Sequence, residues 1–224
     1  MKCVILNKNE EQFVNQMTRA KELNLMWVED CDRMEINMED FKNLNEIMVQ
    51  SEEIFDGQVL HLFKDTVELP NGKNATRETI RHIGAVAIVP ITKDGKVIVE
   101  RQFRYPLNCV ITEIPAGKLD CKTEDRLAAA KRELEEETGL VADEWIELGD
   151  YIPAAAYCDE VITMYLAKGL RKGIRNLDED EFLNIQEVDL AELVGDVMQG
   201  KIKDGKTQVA LLKAWFVVNK AISY

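Results

Sequence analysis

The sequence predicts an α/β protein in which helices cover a mixed sheet. Alternating or short apolar segments, which are typical of strands, are interleaved along the chain with segments of helical periodicity. Residues 85–89 (AVAIV) are apolar throughout, as expected for a central strand that is buried on both faces. Residues 123–138 (TEDRLAAAKRELEEET) are rich in strong helix formers, and Gly139 after them is expected to end the helix.

Composition and charge narrow the class of protein. The chain has 224 residues, 46% hydrophobic and 31% charged, which fits one large globular domain or one domain with a small appendage. The net charge of −13 makes nucleic acid and anionic membrane surfaces poor partners. No apolar run approaches the roughly 18 residues of a membrane-spanning helix, and no signal peptide is expected. The five cysteines lack C-x-x-C spacing, which disfavours a disulfide framework or zinc cluster and favours a cytoplasmic protein.

Residues 1–50 are expected to form a small β/α appendage, and residues 51–224 the main domain. In the appendage, the strand-like stretches KCVIL and LMWVE flank a helix-like stretch, EEQFVNQMTRAKEL. A second helix-like stretch, MEDFKNLNEIMVQ, follows. The appendage contains no motif with a chemical role, so its function stays open.

The main domain is expected to begin with two β-hairpins. GQVLHLFKDTVEL and ATRETIRHI flank the turn PNGK, and GAVAIVPIT and KVIVERQF flank the turn KDG. VITEIPAG then leads into a glycine turn before the helix of residues 123–138. After that helix, EWIELGDYIPA, VITMYLAKGL and FLNIQEVDL are expected to be strands. DLAELVGDVMQG and DGKTQVALLKAWFVVNKA are expected to be helices.

Four glutamates are concentrated at the end of the helix predicted over residues 123–138, in the stretch RELEEETGL. An advance of about 100° per residue places Glu133, Glu136 and Glu137 on one face and Glu135 on another, where we expect it at the surface. Like charges at this spacing repel, and each negative charge at a helix C-terminus opposes the helix dipole by roughly 0.3–1 kcal/mol. Two interpretations follow: a tolerated, solvated acidic face, or a site for Mg²⁺ or Mn²⁺, which take oxygen ligands.

The sequence around these glutamates resembles the Nudix box, G-x5-E-x7-R-E-U-x-E-E-x-G-U, in which U is an aliphatic residue. The matching positions are Glu124, Arg132, Glu133, Leu134, Glu136, Glu137, Gly139 and Leu140. Six residues separate Gly117 from Glu124 where the pattern has five, so the loop between them carries one additional residue. Further segments, from HIGAVAIVPITKDGKVIVERQFRYPL to KIKDGKTQVALL, resemble the ADP-ribose pyrophosphatase branch of the Nudix hydrolases over residues 55–212.

The resemblance implies a Nudix-type α/β/α sandwich and Mg²⁺-dependent hydrolysis of a nucleoside diphosphate derivative, with Mn²⁺ as an alternative cation. The expected substrate is ADP-ribose, cleaved to AMP and ribose 5-phosphate. The alternatives are a nucleotide sugar, a dinucleotide such as FAD, or a sensing module that binds a nucleotide without hydrolysing it. The resemblance also implies a homodimer, because two subunits often complete each site in the family.

The same resemblance implies roles for individual residues. The expected metal ligands are Glu133, Glu136, Glu137 and the backbone carbonyl of Ala116, with Glu136 shared between ions and counted with the catalytic group. A catalytic base or additional metal ligand is expected from LDEDEF, where Glu181 and Glu179 are preferred to Asp178 and Asp180. An ordinary acidic loop before a strand is the competing interpretation of that stretch.

Several further residues are expected to contact the substrate or to support the site. The substrate-binding candidates are Arg104, Glu113, Arg77, Glu160 and Arg101. Arg104 can bond a phosphate in two places, although a surface ion pair is the alternative. Arg132 is expected to orient Glu136, and His82 to have a structural role. Residues 154–157 (AAAY) replace a Ser-Pro-Gly turn that is usual in the branch, and this departure bears on substrate choice.

Overall fold

The computed structural model describes residues 43–177 and 181–220. The chain divides into two compact units, one of residues 1–51 with 65–77 and one of residues 52–64 with 78–224. Residues 1–42, which include the predicted strands and the first helix of the appendage, lie outside the described residues. The second unit contains the sheets and helices that position the candidate site.

Strands and helices are interleaved along the described chain, as the sequence predicts. The strands are β1 (Ile47–Asp56), β2 (His61–Glu68), β3 (Asn74–Ile80), β4 (Ala85–Pro90), β5 (Lys96–Arg104), β6 (Cys109–Glu113), β7 (Ala116–Lys118), β8 (Leu140–Val141), β9 (Glu144–Tyr151), β10 (Ile162–Lys168), β11 (Arg171–Lys172) and β12 (Leu183–Asp189). The helices are α1 (Arg126–Thr138), α2 (Leu190–Met198) and α3 (Gly205–Val218), with a 3₁₀ turn at Tyr105–Leu107. None of the helices in this part of the chain is long and apolar enough to cross a bilayer.

The main sheet is mixed and has the order β7-β4-β10-β9. Strand β10 runs parallel to β4 and antiparallel to β9, and β7 pairs antiparallel with β4. All six residues of β4 are buried, which confirms the prediction of a central strand covered on both faces. A second, antiparallel sheet has the order β12-β5-β6, and two smaller sheets are formed by β1-β2-β3 and by β11-β8.

Helices cover both faces of the main sheet, so the α/β/α arrangement is confirmed. Because side chains alternate along a strand, β4 contributes to two cores. Val86 and Ile88 pack with Leu134 of α1 in one core. Ala87 and Val89 belong to the other core, to which α2 and α3 contribute. Helix α1 is thereby held against β4 and β7, at one edge of the sheet.

Two predictions of local structure are wrong. The segments that flank the turn KDG do not form a two-stranded ladder: Ile91, which follows β4, forms one isolated bridge with Val97 of β5. Both edges of β4 are occupied by β7 and β10, so β5 pairs with β12 and β6 instead. Residues 47–50 were expected at the end of a helix, but they begin β1. The β-branched Ile47 and Val49 favour a strand once a neighbouring strand is available for pairing.

Candidate active site

Helix α1 ends before Gly139, as the sequence predicts, but it begins at Arg126, three residues after the predicted start at Thr123. The side chain of Asp125 accepts a hydrogen bond from the backbone N–H of Ala128 at 2.8 Å, which caps the first turn. Gly139 adopts the left-handed conformation, with φ of 69°, and ends the helix. Between them Leu134 is fully buried, and Glu133 and Glu137 are only 9% and 5% exposed. Two of the box glutamates are therefore interior groups and not part of a solvated face.

Strand β7 lies directly against these two carboxylates. The backbone N–H of Ala116 donates to Oε2 of Glu137 at 3.0 Å. A Cβ atom at Gly117 would overlap the carboxyl group of Glu133, so the glycine lets this carboxyl group lie directly against β7. The additional residue downstream of Gly117 is accommodated in a turn that is closed by the bond from Asp120 N–H to Glu124 Oε2 at 2.6 Å. The longer loop thus leaves the contact between β7 and α1 intact.

Arg132 joins the acidic side chains of the box. Its Nη1 donates to Oε1 of Glu133 at 2.6 Å and to Oε2 of Glu136 at 3.3 Å. Its Nη2 donates to both carboxylate oxygens of Glu124 at 3.3 Å and to the backbone carbonyl of Lys118. The predicted contact with Glu136 is present, but the shortest bond is to Glu133.

Burial shifts the ionisation of the glutamates on α1. It raises the pKa of Glu133 to about 7, while the adjacent Arg132 acts in the opposite direction. Burial also raises the pKa of Glu137 well above its ordinary value, and the charges of Glu100, Glu133 and Glu181 add to that effect. Carboxylates in such surroundings are candidates for a functional site, because ionising them requires a compensating charge.

Glu100 is a member of this group that the sequence analysis missed. It lies on β5, is 3% exposed, and its Oε1 has no hydrogen-bond partner among the described residues. Burial raises its pKa to about 8, with smaller contributions from Glu113 and Glu181. The available signal was an acid that directly follows the apolar residues VIV within the predicted strand KVIVERQF. Its meaning depends on strand register, which places Glu100 directly opposite Glu113 of β6.

Glu113 connects two cations on different elements. Its Oε2 accepts from Nε of Arg104 at 2.7 Å, and its Oε1 accepts from Nζ of Lys206 at 2.9 Å. Arg104 ends β5, where strand alternation places its side chain on the same face as that of Glu100. Arg101 projects from the opposite face of β5, away from Glu100. Lys206 was not identified from the sequence.

The loop before β12 brings a further acid to the group. Glu181 is close enough that its charge raises the pKa values of Glu100, Glu133 and Glu137. Glu179, together with Asp178 and Asp180, lies outside the described residues. The assignment of the catalytic base to Glu181 or Glu179 therefore stays a prediction.

Residues 173–176 supply hydrogen-bond donors to the free backbone carbonyls at the C-terminal end of α1. Arg175 donates from Nε to the carbonyl of Glu137 at 2.6 Å and from Nη2 to the carbonyl of Leu183 at 3.2 Å. The N–H groups of Gly173 and Asn176 bond further carbonyls of this helix end. These contacts supply the positive charge and donors that a helix C-terminus favours and that α1 itself lacks.

The same segment contacts Glu135, which was expected to be a surface residue. The Oε1 atom of Glu135 accepts from the N–H of Ile174 at 3.1 Å, and the side chain is half-buried. This carboxylate has a structural partner that Glu133, Glu136 and Glu137 do not share. The expectation of a surface position is therefore corrected: Glu135 helps to anchor the 173–176 segment.

Three other predicted residues have their own partners. Arg77 forms an ion pair with Glu46. Glu160 lies beside His82, with 3.8 Å between Oε1 and Nδ1. Burial lowers the pKa of His82, whose Nδ1 accepts from the N–H of Gly84 at 3.0 Å. The backbone N–H of His82 donates to Asp159 at 2.6 Å. These bonds give His82 a role in local structure.

The donors of the glutamate group fit a hard divalent cation in their chemistry. They are carboxylates and a backbone carbonyl, the oxygen ligands that Mg²⁺ and Mn²⁺ prefer. As the side chains stand, no set of three or more His, Cys, Asp or Glu residues in the described ranges is arranged to hold a metal ion. Arg132 engages Glu133 and Glu136, and Ala116 engages Glu137. The Oε1 atom of Glu100 has no hydrogen-bond partner among the described residues, so it is free to act as a further oxygen ligand.

Comparisons with known proteins identify the family and the fold of the chain. The NUDIX domain profile matches residues 81–211, more than half of the chain. The chain is 43% identical over 172 residues to a methanol dehydrogenase activator of Bacillus methanolicus, covering 76% of this chain and 92% of that one. It is 42% identical over 172 residues to an ADP-ribose pyrophosphatase of Bacillus subtilis, with the same coverage. A crystal structure of an ADP compounds hydrolase shares the fold, with a TM-score of 0.69 at 22% identity, covering 80% of this chain and 97% of that one.

Proposed function

Because the chain belongs to the NUDIX family, we propose that it hydrolyses the diphosphate bond of ADP-ribose to give AMP and ribose 5-phosphate. The observation that carries the proposal is the group of buried carboxylates formed by Glu100, Glu133 and Glu137. Buried acids at one place are costly unless a positive charge joins them. The ADP-ribose pyrophosphatase at 42% identity supports this choice of substrate.

The cation proposed for this site is Mg²⁺, with Mn²⁺ as an alternative. Glu133, Glu136, Glu137 and the carbonyl of Ala116 would hold it. When bound, such a cation neutralises a diphosphate and lowers the pKa of coordinated water. The contact between Gly117 and Glu133 supports this assignment, because it keeps a donor carboxylate against the strand that carries Ala116.

Orientation of the diphosphate and removal of a proton from the attacking water are assigned to side chains of this chain. Arg104, held through Nε by Glu113, is proposed to orient the diphosphate with its outer guanidinium nitrogens. Glu181, with Glu179 as the alternative, is proposed to accept the proton from the attacking water. The proximity of Glu181 to Glu100, Glu133 and Glu137 supports a role at this place.

Arg77 and Glu160 are proposed as further substrate contacts, although both have protein partners in this structure. Residues 51–224 are proposed as the hydrolase domain. A cytoplasmic homodimer is proposed for the assembly. Exposed Phe103 and Val110, which lie opposite each other on β5 and β6, supply apolar surface for a second copy. The charge of −13 supports a small-molecule substrate, with neither nucleic acid nor a membrane as partner.

The 43% identical methanol dehydrogenase activator favours a second candidate function, the activation of a dehydrogenase. This role differs from ADP-ribose turnover in its readout, because it requires a partner enzyme whose rate increases. Other diphosphates, such as nucleotide sugars and FAD, remain alternatives for the substrate itself. Binding without hydrolysis is a third alternative, which the buried carboxylates disfavour.

A substrate panel separates these functions. The purified chain is incubated with ADP-ribose, a nucleotide sugar and FAD, each with Mg²⁺, with Mn²⁺ or with EDTA, and the products are separated by ion-exchange chromatography. We expect AMP and ribose 5-phosphate from ADP-ribose at the highest kcat/KM, and no product with EDTA. If another compound is cleaved at a higher kcat/KM, that compound replaces ADP-ribose as the proposed substrate. No cleavage of any compound, with an increased rate of an added alcohol dehydrogenase, would support the activator role instead.

A further inference from the structure

The first turn of α3 is fixed against the end of β6 by the residues of the motif DGKT. Asp204 caps the helix by accepting from the N–H of Thr207 at 2.9 Å. A Cβ atom at Gly205 would overlap the hydroxyl of Tyr151, so the helix start lies directly against this side chain. The hydroxyl of Thr207, which is fully buried, accepts from the N–H of Ile114 at 3.1 Å. The position of this turn relative to β6 is therefore tightly determined.

Lys206 extends from this fixed turn to the candidate site. Its Nζ lies 2.9 Å from Oε1 of Glu113 and 3.1 Å from Oδ2 of Asp204, and its side chain is 12% exposed. A cation in the first turn of a helix opposes the helix dipole. Asp204 offsets part of that cost, but a surface position would avoid the cost of burial altogether. The placement of Lys206 is explained by its contact with Glu113.

Glu113 links Lys206 to Arg104, because it accepts a hydrogen bond from each of them. One carboxylate oxygen of Glu113 is bonded by Lys206 and the other by Nε of Arg104 at 2.7 Å. Directly across the sheet lies Glu100, a buried acid that would repel an ionised Glu113. Lys206 therefore fixes the orientation of Glu113 and offsets that repulsion, while the bond to Glu113 holds Arg104 through its Nε atom.

We propose, resting on the function proposed above, that Lys206 is a positioning residue for the hydrolysis. It acts through Glu113, which holds Arg104 in the direction required to bond the diphosphate. Lys206 does not itself contact the substrate. Without the lysine, the Glu113 side chain loses one of its two anchors, and the guanidinium of Arg104 loses its fixed direction.

A double-mutant cycle between Lys206 and Arg104 tests this inference. ADP-ribose turnover is measured for wild type, Lys206→Met, Arg104→Ala and the double variant. We expect Lys206→Met alone to lower kcat/KM about 10- to 100-fold, mainly through KM, as for loss of a charged hydrogen bond. In the Arg104→Ala background, Lys206→Met should lower kcat/KM less than about threefold, because the guanidinium that Lys206 positions is absent. Equal losses in both backgrounds would overturn the proposal.

Two controls separate positioning from general damage to the fold. Lys206→Arg keeps the cation and is expected to recover most of the lost affinity. Lys203→Met is the matched control, because Lys203 is an exposed lysine in the same segment whose Nζ donates to the carbonyl of Gly200. It should leave turnover unchanged. If Lys206→Met unfolds at the assay temperature, the cycle is repeated with Lys206→Gln, and equal losses in both backgrounds again count against the proposal.

Failure of the proposed function can be recognised separately. If wild type does not release AMP from ADP-ribose, that function fails whatever the variants do. The cycle is then measured as binding of a methylene-bridged ADP-ribose analogue by calorimetry. A Kd that rises about tenfold or more for Lys206→Met, but only in the presence of Arg104, supports the positioning role. Independent effects of the two substitutions on Kd overturn it.

Discussion

Glu100 and Glu113 lie directly opposite each other on the antiparallel strands β5 and β6, and both are almost completely buried. Like charges at opposite positions of a sheet are destabilising. Glu113 is bonded by Arg104 and Lys206, whereas Oε1 of Glu100 has no partner in the described part of the chain. Ionisation of Glu100, on the strand β5, is therefore unfavourable in the metal-free protein.

The stability of the metal-free protein should fall as pH rises from 6.5 to 8. Burial raises the pKa of Glu133 to about 7 and that of Glu100 to about 8, above their ordinary values. The folded chain therefore binds more protons than the unfolded chain in this range, and stability is lost as pH rises through the folded pKa. The lowered pKa of His82 acts in the opposite direction, mainly below pH 6.5 and only weakly at the lower end of this range. Urea unfolding in EDTA should show a drop of at least about 1 kcal/mol.

Glu100→Gln provides the control for this pH effect. The amide cannot ionise, so the slope of stability against pH should become shallower while stability at pH 6.5 changes little. Added Mg²⁺ should reduce the slope in wild type, because a cation favours the ionised carboxylates. A wild-type stability that is constant or increases between pH 6.5 and 8 in EDTA would show that the buried acids do not titrate as described.

Glu137→Gln should lower turnover of ADP-ribose at least about 100-fold while the fold is retained. The amide keeps an oxygen that can accept from the N–H of Ala116, but it removes the charge. Thermal unfolding should show an unchanged or higher midpoint, because burial raises the pKa of Glu137 and opposes its ionisation. Glu135→Gln is the matched substitution on the same helix, and its remaining oxygen can still accept from Ile174. A loss of activity for Glu135→Gln comparable to that for Glu137→Gln would mean that the wrong helix face has been assigned.

Gly117→Ala should lower kcat/KM on the order of 100-fold, since the added methyl group displaces the carboxyl group of Glu133 from its place. Because the overlapping atoms are the end of a flexible side chain, the protein should still fold. Gly195→Ala is the control: its nearest neighbour is 4.0 Å away, and alanine favours the interior of α2. Kinetics and thermal unfolding of both variants are compared. Full activity in Gly117→Ala would exclude a fixed role for the Glu133 position.

Arg175→Met should destabilise the protein by about 1 kcal/mol, a value reduced by the exposure of this side chain to solvent. The substitution removes the bonds to the carbonyls of Glu137 and Leu183. Turnover should fall as well, because these bonds connect the end of α1 to the strand that follows Glu181. Arg171→Met, which breaks the exposed pair with Asp143, should change neither property. Urea unfolding and steady-state kinetics report the two effects, and identical behaviour of both variants would argue against a connecting role for Arg175.

The helix and its glutamates could be predicted because their signals are local. The run of strong helix formers, the stop at Gly139 and the spacing of Glu133, Glu136 and Glu137 all lie within one stretch of chain. The central strand β4 was equally clear, since a short, fully apolar run that ends before a turn is typical of a buried strand. The hairpin across the turn KDG was predicted incorrectly, because the competition of β7 and β10 for the edges of β4 is not visible in that turn.

The site residues that could not be predicted from the sequence are brought together by contacts between distant parts of the chain. Glu100 is recognisable only once the register of β5 and β6 places it opposite Glu113. Lys206 approaches from a helix that follows much later in the chain, at a sequence separation of 93 from Glu113. Arg175 likewise reaches the end of α1 from a segment without regular structure, 38 residues from Glu137. No local periodicity or propensity encodes these contacts, which require the packed fold.

The most direct test of the central claim is the Mg²⁺ dependence of AMP release from ADP-ribose by wild type, Glu133→Gln and Glu137→Gln. We predict that wild type releases AMP and ribose 5-phosphate in equal amounts only when Mg²⁺ or Mn²⁺ is present. Both variants should remain folded and lose most of this activity at any Mg²⁺ concentration. Release of AMP that persists in EDTA, or folded variants that turn over at the wild-type rate, would contradict a cation site built on these buried glutamates.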